Sequence, residues 1–281
     1  MELSMEYARM DLPIEYSYVS GESDKAINAH RCSNRKFPFC VAVSVKEGEY
    51  YVEVNGKRYV AKKGETVFVP SFVPHNVGME DAGKISFAHF SCFCLFMDLL
   101  YLDRRDCFIS QNSACIELID ELNACNRTES FNKKLCTDKA IAELLLELER
   151  ENKISLAYPS FDLGIFRAVN YVHTHIYESL SVDDIIAQSG YQRTAFYRIF
   201  KQEIHMTPQQ YIEREKFKVV IMLLMNNAKV AQAAKAVGFH DETYFYKRFK
   251  QLFGVSPIRY IQASTNMMNG ADDQNDSEKS Q

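Results

Sequence analysis

Residues 237–260 read VGFHDETYFYKRFKQLFGVSPIRY, the most strongly patterned stretch of the chain. Between Gly238 and Gly254, Phe245, Phe249 and Phe253 recur every four positions, which is the spacing of one buried face of an α-helix. A glycine at each end suits a chain that leaves a helix in the left-handed conformation. Ser256-Pro257 then offers an N-cap followed by a proline at the first helical position. The stretch therefore predicts a turn, a helix and the start of another helix.

The same pattern occurs a second time, earlier in the chain. The matches run in the same order and are Gly190-Tyr191 with Gly238-Phe239, Phe200-Lys201-Gln202 with Phe249-Lys250-Gln251, and Thr207-Pro208 with Ser256-Pro257. Because chance alignment over so many positions is improbable, we interpret residues 181–263 as an internal repeat. Each unit is predicted to contain a short helix, a glycine turn and a second helix, which is a helix-turn-helix.

The first unit and the connector have further helix signals. Ser181 is a candidate N-cap with Asp184 three residues on, a variant of the capping box. The connector from Thr207 to Asn226 has no glycine or proline after its first turn. A helix of about 20 residues spans about 30 Å, and one turn of B-DNA is about 34 Å. If the second helices of the two units lie at that separation, they could enter successive major grooves on one face of DNA.

Residues 164–263 resemble the AraC/XylS-type DNA-binding domain, on the motif Val237-Gly238-Phe239, Tyr244-Phe245, Phe249-Lys250 and Phe253–Tyr260. The resemblance implies a sequence-specific transcription regulator that binds double-stranded promoter DNA. It favours an activator over a repressor, with RNA polymerase as a partner if the protein activates. The DNA-binding residues that it implies are Arg193, Thr194, Tyr197, Arg198, Lys201, Glu242, Thr243, Tyr246, Lys247 and Lys250.

These residue types indicate two kinds of DNA contact. Arg193 and Arg198 are the hypothetical base readers, since arginine is the usual bidentate partner of guanine; a solvated helix face is the alternative. Glu242 could accept from N4 of cytosine, or only favour the helix N-terminus by its charge. Lys201 and Lys250 are expected to meet phosphates rather than bases.

Three further positions carry expectations of their own. Asp241 is predicted to be the N-cap of the second recognition helix. His205 stands where the family usually has glycine, at a helix end that favours positive φ. In the connector, Phe217 to Met225 is apolar almost all round, with Val219 and Met222 at places that are commonly charged. Because such a helix is normally covered, we expect contact with the N-terminal domain or a second subunit.

The N-terminal half has strand patterns instead. The predicted strands are Phe39–Val45, Glu49–Val54, Lys57–Ala61, Thr66–Val69 and Ile85–Phe90. Asn55-Gly56 is a strong hairpin signal because both positions tolerate positive φ. Residues 30–91 also resemble the cupin-like ligand-binding domain, through Gly48, Asn55-Gly56-Lys57, Gly64, Pro70, Pro74-His75 and His89-Phe90. The expected fold class is α+β with two domains: an antiparallel jelly-roll or cupin-like barrel with packed helices, then an all-α double helix-turn-helix domain.

A small barrel of this kind can hold one small-molecule effector. The candidate effector-binding residues are His30, Arg31, Tyr50, His75 and His89, each of which could instead have a core or surface role. A cupin enzyme would need a His-x-His pair and a glutamate on an early strand, and Phe39–Val45 has no histidine. We therefore expect no catalytic residue, no metal site and no cofactor.

Helical periodicity follows from about residue 111. The two apolar stripes are Cys115, Leu118, Ile119 and Leu122, and Ile141, Leu144, Leu145 and Leu148. Each stripe could pack on the sheet or form a homodimer interface. The predicted domains are an effector domain over 1–110, dimerisation helices and linker over 111–155, the DNA-binding domain over 161–263 and a disordered acidic tail over 264–281.

Composition limits the class of protein. The chain has 281 residues, 47% hydrophobic and 25% charged, with a net charge of −4. Lys and Arg exceed Asp and Glu by 13 to 9 in residues 161–263, which is compatible with nucleic-acid binding. All eight cysteines lie before residue 160, and we expect reduced thiols; Cys92-x-Cys94 is only weak evidence for redox or metal sensing. Met1–Met10 lacks the apolar core of a signal peptide, which predicts a cytoplasmic protein without a membrane partner.

The expected function is a transcription regulator controlled by a small molecule in the N-terminal domain. One alternative is a constitutive DNA-binding protein whose N-terminal domain only dimerises. The other is a metal-dependent cupin enzyme fused to a DNA-binding module.

Overall fold

The computed structural model describes residues 14–94, 97–98, 106–127, 132–156 and 162–262. They form two compact units, of which the first ends at Leu156 and the second at Ile261. Met1–Met10, the predicted tail over 264–281 and the side chain of Cys94 lie outside the described residues. The predicted effector, dimerisation and DNA-binding domains are assignments of function and stay predictions.

The N-terminal unit contains two antiparallel sheets. One has the order β1-β8-β3-β6-β10 with β9 paired to β8, and the other has the order β2-β7-β4-β5. The strands are β1 (Ile14–Ile27), β2 (His30–Arg35), β3 (Cys40–Glu47), β4 (Glu49–Val54), β5 (Lys57–Lys62), β6 (Thr66–Val69), β7 (His75–Met79), β8 (Gly83–Cys94), β9 (Met97–Asp98) and β10 (Phe108–Ser110).

The hairpin predicted at Asn55-Gly56 is confirmed. Both residues have positive φ, 50° and 78°, and Val54 pairs directly with Lys57 across the turn. The two-residue loop fixes the register of β4 and β5, since a slip of one residue would turn every side chain to the opposite face. Tyr51 lies on the same side of β4 as Glu49 and Glu53 but is buried. The Arg58 guanidinium covers its ring at 3.8 Å.

The sheets begin earlier than the predicted strands. β1 and β2 precede residue 37, and β7 lies in a stretch where no strand was predicted. β1 contains Gly21 and Asp24, and its pairing with β8 shifts register twice, so the alternation of apolar and polar residues over Ile14–Tyr18 does not continue along the strand. Its order comes from the long partner strand β8, which sequence periodicity does not reveal.

Two helices pack on the six-stranded sheet: α1 (Ala114–Arg127) and α2 (Lys133–Arg150). Both predicted apolar stripes enter one core together with strand residues such as Phe68 and Phe90. Asn123 of α1 ties the helix to the sheet by donating from Nδ2 to the Phe87 carbonyl at 3.0 Å. Of the two interpretations, packing on the sheet is therefore what the chain shows, and dimerisation stays a prediction.

The second unit is helical. Its helices are α3 (Leu163–Thr174), α4 (Val182–Ser189), α5 (Arg193–Ile204), α6 (Pro208–Met225), α7 (Val230–Ala236) and α8 (Glu242–Phe253). Residues 257–262 continue as a helical turn. Among the described helices, none combines the length and apolar content that crossing a bilayer requires.

The predicted helix ends are confirmed in detail. Ser181 and Asp184 form a reciprocal capping box at α4, and Thr207 caps α6 with Pro208 at its start. Asp241 accepts from the Tyr244 amide at 3.0 Å at the start of α8. His205 ends α5 in the left-handed conformation with φ 63°, as the family's glycine position requires.

The connector helix α6 has more buried charge and more exposed apolar surface than its apolar stretch from Phe217 to Met225 predicted. Phe217 is buried on its inner face, but Glu213 and Glu215 are buried as well. At the other end, the side chain of Met222 is 54% exposed and Val219 is half-buried. The predicted contact of Val219 and Met222 with another domain or subunit stays a prediction.

Candidate nucleic-acid interface and effector pocket

The first candidate recognition helix is α5, which has two distinct faces. Phe196, Phe200 and Ile204 are buried, and the Phe200 ring packs edge-on against Tyr211 of α6 with centroids 5.6 Å apart. The opposite face carries the predicted DNA-binding residues. Four of them are exposed and Tyr197 is half-buried; the exposed residues are Arg193, Thr194, Arg198 and Lys201. This side of the helix is therefore open to a partner.

Arg193 already has an acidic partner, which a DNA ligand would have to replace. Its guanidinium is ion-paired with the Asp183 carboxylate of α4 and lies 5.8 Å from the centre of the Tyr197 ring. Both charged side chains are largely exposed, 61% and 73%, so the ion pair is worth little in water. A phosphate or a guanine edge could replace Asp183 at small cost.

The second candidate recognition helix is α8, built in the same way. Phe245, Phe249 and Phe253 are buried, and Phe217 of α6 lies among them, with centroids 5.7 Å from both Phe245 and Phe249. All five predicted residues of this helix are exposed: Glu242, Thr243, Tyr246, Lys247 and Lys250. The sequence repeat thus corresponds to a repeat of exposed polar faces.

Arg248 is on α8 but does not belong to that exposed face. Its Nε donates to a Glu213 carboxylate oxygen at 2.7 Å, and a second nitrogen contacts the other oxygen. This bidentate pair joins α8 to α6, and the hydrogen bond that the guanidinium donates to Glu213 raises the pKa of Arg248. Arg248 therefore fixes the position of α8 against α6, a role that the sequence analysis missed because the two residues are far apart in the chain.

A second ion cluster surrounds Glu215 on α6. Lys218 Nζ lies 3.0 Å and Arg214 2.8 Å from its carboxylate oxygens. Burial opposes ionisation of Glu215, but the charges of Lys218 and Arg214 outweigh it and hold the carboxyl pKa at about 2. Nearby, burial lowers the pKa of His173 to about 4, and its ring nitrogen hydrogen-bonds to the Tyr211 hydroxyl at 2.8 Å. The cluster ties α3 to the connector.

In the N-terminal unit, two of the candidate effector residues face each other between the sheets. His89 lies on β8 of one sheet and His75 on β7 of the other, and the Phe37 ring lies 5.7 Å and 5.9 Å from them. His89 shares a hydrogen bond of 2.8 Å with Ser20, and His75 one of 2.8 Å with the Val73 carbonyl. Burial lowers the pKa of His75 to about 4 and that of His89 to about 3. Both imidazoles are therefore neutral near pH 7.

Arg35 is a residue of this interior that the sequence analysis missed. It ends β2 directly opposite His75, and its charge further lowers the pKa of both histidines. Tyr50 is also buried here, and burial raises its pKa far above the usual value while the Arg35 charge opposes that shift. Arg35 thus stands electrostatically close to three of the predicted effector residues.

The other two candidates lie farther out. Arg31 is on the same strand as Arg35, but its side chain is 69% exposed and 3.9 Å from Glu53. His30 is half-buried, with its ring 6.3 Å from that of Tyr50. Over the described ranges, no three His, Cys, Asp or Glu side chains are grouped as metal ligands would be.

Comparison with known proteins agrees with the helical unit. Residues 185–263 match the family model described as a helix-turn-helix domain. The probable transcriptional regulator LumQ of Photobacterium leiognathi is 30% identical over 92 residues, which cover 32% of this chain and 37% of that protein. The HTH-type transcriptional regulator YisR of Bacillus subtilis is 33% identical over 120 residues, or 42% and 41% of the two chains. The chain thus matches only about two fifths of the length of these curated relatives.

A solved structure is similar over much more of the chain. ToxT of Vibrio cholerae superimposes with a TM-score of 0.60 over 90% of this chain and 98% of its own, at 13% sequence identity. That likeness concerns the fold of both units. The curated relatives are described as transcriptional regulators. Together with the family match, they show that the C-terminal unit of this chain contains a helix-turn-helix domain similar to those of transcriptional regulators.

Proposed function

We propose that this protein is a transcription regulator that binds double-stranded promoter DNA through α5 and α8. The observation that carries the proposal is the repeated construction of these helices, each with a buried aromatic face and an exposed polar face. Helix α6 joins them, and its 18 residues span about 27 Å at the rise of an α-helix. In this proposal the protein acts in the cytoplasm as a homodimer and contacts RNA polymerase where it activates.

The arginines and lysines of the exposed faces have different proposed roles. Arg193→Ala or Arg198→Ala should cost about 1–3 kcal/mol of binding and relax the preference at one base pair, because a bidentate guanine contact is lost. Lys201→Ala and Lys250→Ala should weaken binding to all sequences alike and reduce the salt slope by about 1. Binding to a library of single-base operator variants, measured at several salt concentrations, separates the two roles.

The matched control is Lys235→Ala, which removes an exposed lysine from α7, outside the proposed interface. It should leave both affinity and sequence preference unchanged. Uniform weakening by both arginine variants would contradict their assignment as base readers. If none of the four alanine variants changed DNA affinity, sequence preference or salt slope, DNA binding through these faces would be contradicted.

We further propose that the interior of the N-terminal unit binds a small-molecule effector beside Arg35, His75, His89 and Tyr50. ToxT has been solved with a naphthalenyl butenoic acid and with an unsaturated fatty acid, both of which are apolar molecules with a carboxylate. An arginine beside neutral aromatic and imidazole groups suits the same chemistry, since guanidinium pairs with carboxylate in two parallel hydrogen bonds. The proposed effector is therefore an apolar carboxylic acid.

An effector that binds the folded state should raise its melting temperature. A ligand at 100 times its Kd stabilises by about 2.7 kcal/mol, so the melting temperature of the full chain should rise on titration with long-chain carboxylic acids. Arg35→Gln should abolish the rise. Arg31→Gln, which removes the exposed arginine of the same strand, should retain it. A rise in melting temperature that Arg31→Gln abolishes and Arg35→Gln retains would overturn the assignment. The absence of any rise in the parent chain would favour an N-terminal domain that only dimerises.

A further inference from the structure

Two cysteines lie opposite each other across the hairpin of α1 and α2. Asn126 Nδ2 donates to Thr137 Oγ1 at 3.1 Å, and Lys139 is ion-paired with Glu121 at 2.8 Å. The ion pair fixes the register of the antiparallel helices one turn away from the cysteines. Cys125 follows Glu121 by four positions on α1, Cys136 precedes Lys139 by three on α2, and the two cysteine side chains hydrogen-bond to each other.

Solvent access separates these two cysteines from most of the others that the structure describes. Cys125 and Cys136 are half-buried, whereas Cys40, Cys92, Cys107 and Cys115 are buried. Burial raises the pKa of Cys107 to about 12 and that of Cys115 to about 11, which leaves both as inert thiols. Cys32 is half-buried too, but it lies on β2, away from the hairpin.

We propose that Cys125 and Cys136 are a reversible disulfide site that links α1 to α2 when the protein meets a low-molecular-weight disulfide. The two side chains already interact across the hairpin whose register the Asn126–Thr137 and Lys139–Glu121 contacts fix, so the thiols start within reach of each other. The contact joins two helices of the N-terminal unit and involves no residue of the proposed DNA interface or effector pocket. The proposal does not depend on the proposed function.

The oxidation proceeds by two thiol–disulfide exchanges. In the first exchange, the Cys136 thiol loses its proton and attacks the small disulfide. The Cys136 thiolate bonds to one sulfur of the small disulfide and releases one small thiol. The Cys125 sulfur, once deprotonated, then attacks Cys136 and releases the second small thiol. Two electrons and two protons pass to the oxidant, and a reductant reverses both steps.

The bond should restrain the hairpin. A disulfide that closes a loop removes conformations from the unfolded chain and so favours the folded state. The crosslink joins the end of α1 to the first turn of α2, where both helices leave the core of the sheet. Oxidised protein should therefore melt several degrees higher than reduced protein in its N-terminal unit.

The test is incubation of the full chain in oxidised glutathione, followed by blocking of remaining thiols and tryptic mass mapping. Trypsin cuts between the two cysteines, so the crosslink should join peptides 106–127 and 135–139 and disappear on reduction. Fragmentation should assign the bond to Cys125 rather than to Cys107 or Cys115. Serine at either position, Cys125→Ser or Cys136→Ser, should abolish both the crosslink and the rise in melting temperature.

Cys32→Ser is the matched control, because it removes a half-buried thiol outside the hairpin, and it should retain crosslink and shift. Three results would overturn the proposal. One is a chain that keeps both thiols alkylatable after this treatment. The second is a glutathione adduct on Cys136 that persists without resolution by Cys125. The third is a crosslink that survives Cys125→Ser.

Discussion

Replacing Glu215 with glutamine should destabilise the C-terminal unit by about 3–5 kcal/mol, the usual cost of removing one partner from a buried ion pair. The Glu215 side chain is only 3% exposed, and Lys218, its partner at 3.0 Å, is 9% exposed. Without the carboxylate, the Lys218 ammonium and the Arg214 guanidinium lose the opposite charge that lies 3.0 Å and 2.8 Å from them in the protein interior. Urea or thermal unfolding of the full chain measures the loss.

The matched control is Asp183→Asn, which breaks the exposed ion pair with Arg193. An exposed pair contributes at most about 1 kcal/mol, so this variant should unfold nearly as the parent does. If Glu215→Gln also stayed within 1 kcal/mol of the parent, the cluster would not be a determinant of stability. Its pH dependence has a definite sign: the contribution is present above the unfolded pKa near 4.3 and is lost as the pH falls toward about 2.

The connector makes this loss matter for function. Phe217 fills the core of the second repeat from α6, and Tyr211 fills that of the first. Glu213 holds α8 through Arg248, while the Tyr211 hydroxyl holds α3 through its hydrogen bond with His173. One helix therefore supports both exposed faces. In the proposed function, a weakened α6 should reduce DNA binding through α5 and α8 together.

Much of this unit was predictable because its signals are local. The caps at Ser181, Thr207 and Asp241, and the left-handed His205, depend on residues within one helical turn of each other. Periodicity marked the helices because one buried face repeats along a single segment. The exposed placement of the predicted DNA-binding residues follows directly from that buried face.

The unpredicted features depend on distant pairs. Glu213 and Arg248 lie on different helices, and neither residue's neighbours mark it as buried. Ser20 and His89 are 69 residues apart, and β1 is ordered by its pairing with β8 rather than by an alternating pattern. Arg35 was missed for the same reason, because only the pairing of β2 with β7 brings it opposite His75. Sequence patterns along one segment contain no such information.

Acidification from pH 7.5 to pH 5 should destabilise the N-terminal unit by about 4 kcal/mol, through His75 and His89. An unfolded histidine has a pKa near 6.5, whereas burial holds these two at about 4 and about 3. At pH 5 the unfolded chain therefore binds two more protons than the folded unit. Stability is complete above about pH 6.5 and falls as the pH decreases toward the folded values. Scanning calorimetry of the full chain at several pH values measures the shift.

Substitution identifies which groups carry this dependence. His89→Phe suits the aromatic surroundings of Phe37, Phe39 and Phe87 and removes one titrating group, so the pH dependence of the N-terminal transition should fall by about half. The cost of leaving Ser20 without its partner lowers stability at every pH and does not alter the slope. An unaltered slope in His89→Phe would mean that another group controls the acid response. The slope measures the protons that the unfolded chain binds beyond those of the folded unit, and this variant removes the proton that unfolded His89 binds.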